Sequence, residues 1–93
     1  MKAMFNSTVI AESTATVVVE GNHYFPERDV HMEYLSANGE TSICPWKGKA
    51  EYFDVTVEGE TAKSAVWMYP HPSFLAKKIT GHFAFWRGVD VTE

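Results

Sequence analysis

Cysteine is nearly absent from this sequence: Cys44 stands alone. That excludes a disulfide framework within the chain and a four-cysteine zinc site. Long apolar runs are missing as well. Nothing approaches the eighteen or so residues of a spanning helix, so no membrane partner is expected. Met1 to Ile10 carries one lysine and a broken apolar stretch, unlike a secretory leader, and a cytoplasmic location is the expectation. Basic residues are few, eight Lys and Arg against twelve Asp and Glu, for a formal charge of −4. Lysines pair only at Lys47/Lys49 and Lys77/Lys78, which is no basic stripe, so duplex nucleic acid is not an expected partner. A phosphate-bearing small molecule stays possible, because one lysine and a few backbone N–H groups can hold one.

What is present is apolar and aromatic. Hydrophobic residues make up 45% and aromatics 14% of 93 residues, enough for one core but not two, so residues 1–93 read as a single domain. Period-two alternation dominates, the pattern of half-buried strands. Thr8–Ala11 and Thr16–Val19 are β-rich and a short Ser13-Thr14-Ala15 loop between them predicts a hairpin. Gly21-Asn22 permits the next reversal, and His23-Tyr24-Phe25 forms a strand stopped by Pro26. Val30 to Ser36 alternates again. Asn38-Gly39 is the strongest hairpin signal, because both residues tolerate the left-handed conformations of a type I′ turn. Residues 50–57 put Phe53, Val55 and Val57 on one face and Ala50, Tyr52 and Asp54 on the other. Ala65–Tyr69 follows a polar turn at Glu58-Gly59-Glu60, and His82–Trp86 closes the sheet.

One short helix is predicted near residues 72–80. Pro72 suits its first position with Ser73 as an alternative cap, Leu75 and Ile79 pair at i, i+4, and Gly81 ends it. The fold class is therefore mainly β: curved antiparallel sheets of sandwich or partly open barrel type with that one helix.

Four segments in order carry a family resemblance: His23-Tyr24-Phe25-Pro26 with Asp29-Val30; Cys44-Pro45-Trp46-Lys47-Gly48 with Ala50-Glu51-Tyr52; Trp67-Met68-Tyr69-Pro70; and Ile79 to Trp86 around Gly81-His82-Phe83-Ala84-Phe85. Together they resemble the small bacterial proteins of the domain of unknown function 427 family. The resemblance implies two sheets leaning together in a tent and no established activity. A nucleotidyltransferase label sometimes attached to that family is one alternative function, although this chain lacks the Gly-Ser and spaced aspartates with which nucleotidyltransferases hold metal and triphosphate.

Four groupings are the candidates for chemistry. Pro45 pre-sets a β-turn that brings Cys44 and Lys47 close, so the ammonium can lower the thiol pKa, and Gly48 leaves room for a ligand. Tyr24, Tyr52, Trp67 and Tyr69 can line an amphipathic pocket. Asp29 and Glu51 with His23 are acid/base candidates, Asp29 being the one placed with Cys44 and Lys47. The four histidines, His23, His31, His71 and His82, match no chelating spacing, so no metal or cofactor is expected. The expected function is a binding or catalytic β domain for an unknown small molecule, centred on catalytic candidates Cys44, Lys47 and Asp29 and ligand-binding candidates Tyr24, Tyr52, Trp67, Tyr69 and Gly48. The alternative is a non-catalytic interaction module using Trp46 and Trp86 or a sheet edge. Enzymatic activity, and monomer against homodimer, are left open.

Overall fold

The computed structural model describes all residues, Met1–Glu93. Nine strands run β1 (Lys2–Phe5), β2 (Thr8–Glu12), β3 (Val17–Val19), β4 (Asn22–Pro26), β5 (Leu35–Cys44), β6 (Gly48–Val57), β7 (Glu60–Met68), β8 (His82–Phe85) and β9 (Asp90–Thr92). They form two antiparallel sheets, one of three strands in the order β2-β1-β9 and one of six in the order β3-β4-β8-β7-β6-β5.

Three tight turns share one chemistry. Asn6-Ser7, Glu20-Gly21 and Glu58-Gly59 each have positive φ at both central residues, the type I′ pattern that matches strand twist. The hairpin expected around Ser13–Ala15 is not formed: β2 pairs with β1 and β3 pairs with β4, in different sheets. Ser13 instead accepts the Ala15 N–H and bonds Asp29, which turns the chain out of the first sheet. Asn38-Gly39 is not a hairpin either. β5 runs through it as a bulge between Ala37 and Thr41, and the true reversal comes at Pro45–Lys47, where Cys44 pairs with Gly48.

The cause is visible around Asp54. Its Oδ1 accepts from the Asn38 amide at 2.8 Å and from the Ser64 N–H at 2.9 Å. The Asn38 amide also donates to Ser64 Oγ at 2.9 Å. Opposite β6, both β5 and β7 carry extra residues, at 38–40 and 63–65, and Ser64 sits at φ +52°. Two bulges are thus stitched across the strand between them, and bulges of this kind bend and twist a sheet.

The predicted helix is corrected to a 3-10 segment, Phe74–Ile79, broken at Ala76 (φ −116°). With three residues per turn, Leu75 and Ile79 do not align. Ile79 is buried and Leu75 is 71% exposed. Ser73 stands at the N-cap position but its side chain makes no capping bond; its N–H bonds the Lys47 carbonyl at 2.8 Å and its Oγ bonds the Trp46 carbonyl. The segment is strapped to the Pro45–Lys47 turn, and its Ala76 and Ile79 cover part of the large sheet.

Alternation along the strands divides the large sheet into two faces. One carries Phe25, Val55, Val57, Val66, Phe83 and Phe85, packed against Ala3, Ile10 and Ala11 of the small sheet. The other carries Tyr24, Ala50, Trp67, Tyr69 and Ala84.

Candidate functional site

On this second face the cover is incomplete. A cavity of about 210 Å³ opens there, lined by Asn22, Tyr24, Lys47, Tyr52, Trp67, Tyr69 and Trp86. Strand pairing assembles it. Tyr52 lies opposite Trp67 on β6 and β7, Trp67 opposite Ala84 on β8, and β4 brings Tyr24 in beyond β8. Tyr69 follows two residues after Trp67, on the same side.

The rings are held in place. Trp67 Nε1 donates to the Tyr24 hydroxyl at 3.2 Å, and their rings meet edge to face with centroids 6.1 Å apart. Trp86 packs against Trp67 at 5.3 Å, and its Nε1 donates to the Ser64 carbonyl at 2.7 Å. The bulged part of β7 therefore positions the rim of the cavity. Ser42 and Tyr52 share a hydroxyl–hydroxyl bond of 2.8 Å.

Lys47 is the unusual member. It is only 6% exposed, among the rarest places for a lysine. Its ammonium bonds the Glu20 carboxylate and lies 4.9 Å from the Trp46 ring centroid and 5.9 Å from that of Tyr69. Burial alone would push its pKa down. The Glu20 hydrogen bond and the neighbouring Tyr69, Tyr24 and Cys44 outweigh burial and hold the pKa above its ordinary value, so the group is charged at neutral pH. Glu20 is half-exposed and stands at φ +53° in the β3–β4 turn. The hydrogen bond from Lys47 and its charge hold the carboxyl below the usual range. Burial raises the pKa of Tyr24 and pushes that of Tyr69 up to about 12, so both phenols keep their protons at neutral pH. No group of the chain bonds the Tyr69 hydroxyl, and no buried polar side-chain atom lacks a partner. That hydroxyl therefore faces open space, free to donate.

The predicted residues divide as follows. Tyr24, Tyr52, Trp67, Tyr69 and Lys47 come together around one cavity. Cys44 sits at the head of the turn, partly exposed, packed against the same cluster but outside the lining. Burial raises its pKa, but backbone N–H groups of Trp46 and Lys47 and the Lys47 charge overcome this and hold the thiol below its ordinary value. Gly48 lies outside the cavity lining and faces the 71–73 segment. It has φ +117°, and a Cβ there would lie 3.4 Å from the His71 carbonyl oxygen, so the 71–73 strap occupies the space.

Asp29 lies outside the lining as well. It accepts from Ser13 Oγ at 2.6 Å, lies near Arg28, and lines a separate depression beside Met1 and Glu12. His23 bonds Thr16 at 2.9 Å, and Glu51 is exposed on β6, so the acid/base trio is not assembled. Trp46 is half-buried under Lys47, and Trp86 is a rim residue of the cavity rather than part of a flat patch. Neither Asn22 nor the counter-ion Glu20 is a site candidate from the sequence, and Trp86 is one only as part of an interaction surface. Trp86 had a signal, since it continues the alternation from Ala84. Glu20 had none, because only the fold brings the two turns together.

Residues 1–93 match the family described as Domain of unknown function (DUF427), so the whole chain belongs to that family. No curated protein matches the chain.

Proposed function

We propose that this chain is a small-molecule-binding domain whose ligand seats a planar, mostly apolar group in the aromatic cavity. The observation that supports this reading is a nine-tenths-buried ammonium, Lys47, in the wall of an open cavity otherwise lined mainly by aromatic rings. Burying a charge costs several kcal/mol of desolvation. A face built for packing alone closes such a space with aliphatic groups. The cavity, about 210 Å³, exceeds the roughly 150 Å³ that accommodates a benzene ring. Tyr52 and Trp86 offer the most accessible ring surface for stacking, with Trp67 between them, while the Tyr69 hydroxyl and Lys47 offer donors to an acceptor on the ligand. Binding needs no chemistry from Cys44, whose sulfur lies outside the lining.

Thermal-shift measurements with a panel of phenols, indoles, purines and pyrimidines test the reading. At least one class raises the melting temperature of the natural chain. Tyr69→Phe, which keeps the ring and removes the donor, and Lys47→Met both shrink that shift. A broad panel that leaves the melting temperature of the natural chain unmoved refutes the proposal.

A further inference from the structure

The cavity does not end at its rim. Tyr52 and Trp86 also wall a second, shallower compartment of about 380 Å³, completed by Glu40, Thr41, Ser42 and Arg87. The two spaces adjoin at Tyr52 and Trp86, the first lined mainly by rings and the second mainly by polar side chains.

The charges lining these two spaces are unevenly committed. The chain has two ion pairs, Arg28–Asp29 and Lys47–Glu20. Lys47 is thus already neutralised by a carboxylate. Arg87 has no carboxylate within ion-pair reach; its guanidinium lies 4.2 Å from the Trp86 ring centroid. Stacking on an indole face leaves the N–H edge of a guanidinium free to bond in its own plane. An anionic group on a ligand in the cavity therefore finds its uncommitted cation at Arg87, with the Thr41 and Ser42 hydroxyls beside it.

Glu40 sets the limit on that anion. Its carboxylate bonds Ser64 Oγ but stays on the compartment wall. With Glu40 on its wall the compartment is neutral overall, so a single negative charge gains Arg87 against modest repulsion from Glu40, whereas a doubly charged group meets about twice that repulsion. The forked N–H geometry of arginine matches a carboxylate with two parallel bonds. We propose that the Arg87 compartment is a carboxylate subsite, so that the ligand of the aromatic cavity is a planar-ring monocarboxylate. This rests on the reading of the cavity as a ligand site.

Titration calorimetry at neutral pH and fixed ionic strength, with phenol, phenylacetate and phenyl phosphate, tests it on the natural chain, Arg87→Gln, Glu40→Gln and Lys47→Met. Phenylacetate should bind the natural chain about threefold to fivefold more tightly than phenol, the size a half-exposed ion pair supplies. Arg87→Gln should abolish that advantage without weakening phenol. Glu40→Gln should enlarge it, and phenyl phosphate should gain most from that change. Equal affinity for phenol and phenylacetate overturns the subsite while leaving the cavity reading intact. So does an advantage that survives Arg87→Gln and vanishes in Lys47→Met, or a preference of the natural chain for phenyl phosphate over phenylacetate. If no ring compound binds the natural chain, subsite and cavity reading fall together.

Discussion

Replacing Lys47 by methionine separates a residue kept for binding from one kept for folding. The side chain is 6% exposed, so its ammonium has lost nearly all its water. In exchange it gains Glu20 and the faces of Trp46 and Tyr69. Effective desolvation of a buried ammonium costs several kcal/mol. The cation–π contacts return about 1–2 kcal/mol. Glu20 is half-exposed, so its charge is still solvated, and water takes it over when Lys47 is gone. Methionine keeps an unbranched stem of similar length, and its sulfur packs well against rings. The balance predicts a variant of unchanged stability or one more stable by up to about 2 kcal/mol. For a domain of this size each kcal/mol moves the melting temperature by about 4–8 °C. Circular-dichroism melts should therefore show no loss, while the ligand shift shrinks. Glu20→Gln is the contrasting change. It leaves the buried ammonium without a counter-ion, so it should melt below Lys47→Met, and the Lys47 pKa should fall. A Lys47→Met variant melting more than about 8 °C below the natural chain refutes the reasoning and makes the ion pair a staple between the two turns.

Gly48→Ala forces a side chain onto φ +117° and against the His71 carbonyl, and should cost about 1–3 kcal/mol in urea unfolding; a neutral result means the strap moves freely. Cys44 should react with iodoacetamide at a lower pH than an unstructured cysteine peptide, and Lys47→Met should move its profile upward; coincident profiles for chain and peptide count against the turn's effect on the thiol. Tyr69 should ionise near pH 12 in an ultraviolet titration, a step that Tyr69→Phe removes. Its folded pKa lies above the unfolded value of about 10, so its contribution to stability is complete below pH 10 or so and is lost as pH rises toward 12. Tyr69→Phe should flatten that alkaline decline.

Local alternation was enough to read most of the strands and the grouping of the aromatic residues. Tyr52 lies on the opposite face from Phe53 and Val55, and Trp67 and Tyr69 on the opposite face from Val66 and Met68, so period two alone groups them within each strand. Pairings between distant segments were not readable. β1 joins β9 across nearly the whole chain, and neither strand carries a mark of the other. Asn38-Gly39 misled for a specific reason. The same side chain that favours a type I′ turn can bond other groups. Here Asn38 bonds Asp54 and Ser64 while accepting the Glu40 N–H, so the residues that signal a hairpin form a bulge. Leu75 and Ile79 misled because i, i+4 spacing implies a helix only when the segment is α, and the strap from Ser73 to the Pro45–Lys47 turn holds this one as 3-10. The Lys47–Glu20 pair was illegible for want of any local pattern linking two turns 27 residues apart.

The location of the cavity follows from unequal cover of a two-faced sheet. Every strand of the large sheet with alternating apolar residues must bury both sets, because each face removes apolar area from water at about 25 cal/mol per Å². On the aliphatic face a whole three-stranded sheet performs that burial, and Phe25, Val55, Val66 and Phe83 are closed in. On the aromatic face the cover is six residues of 3-10 structure, of which only Ala76 and Ile79 are buried. Tyr24, Trp67 and Tyr69 are buried on that face, but Tyr52 and Trp86 beyond the reach of the segment stay partly exposed. Substituting a bulkier cover would close the space, yet the exposed face of that segment, Phe74 at 87% and Leu75 at 71%, points its largest groups away. The rings at the opening carry hydroxyl or N–H groups, which tolerate contact with water where aliphatic chains do not. The same economy of cover that leaves Tyr52 and Trp86 partly accessible leaves a cavity beside Lys47, in the turn that the strap holds down. Aromatic composition on that face and a short strap are thus two halves of one arrangement: a sheet face stable while partly open.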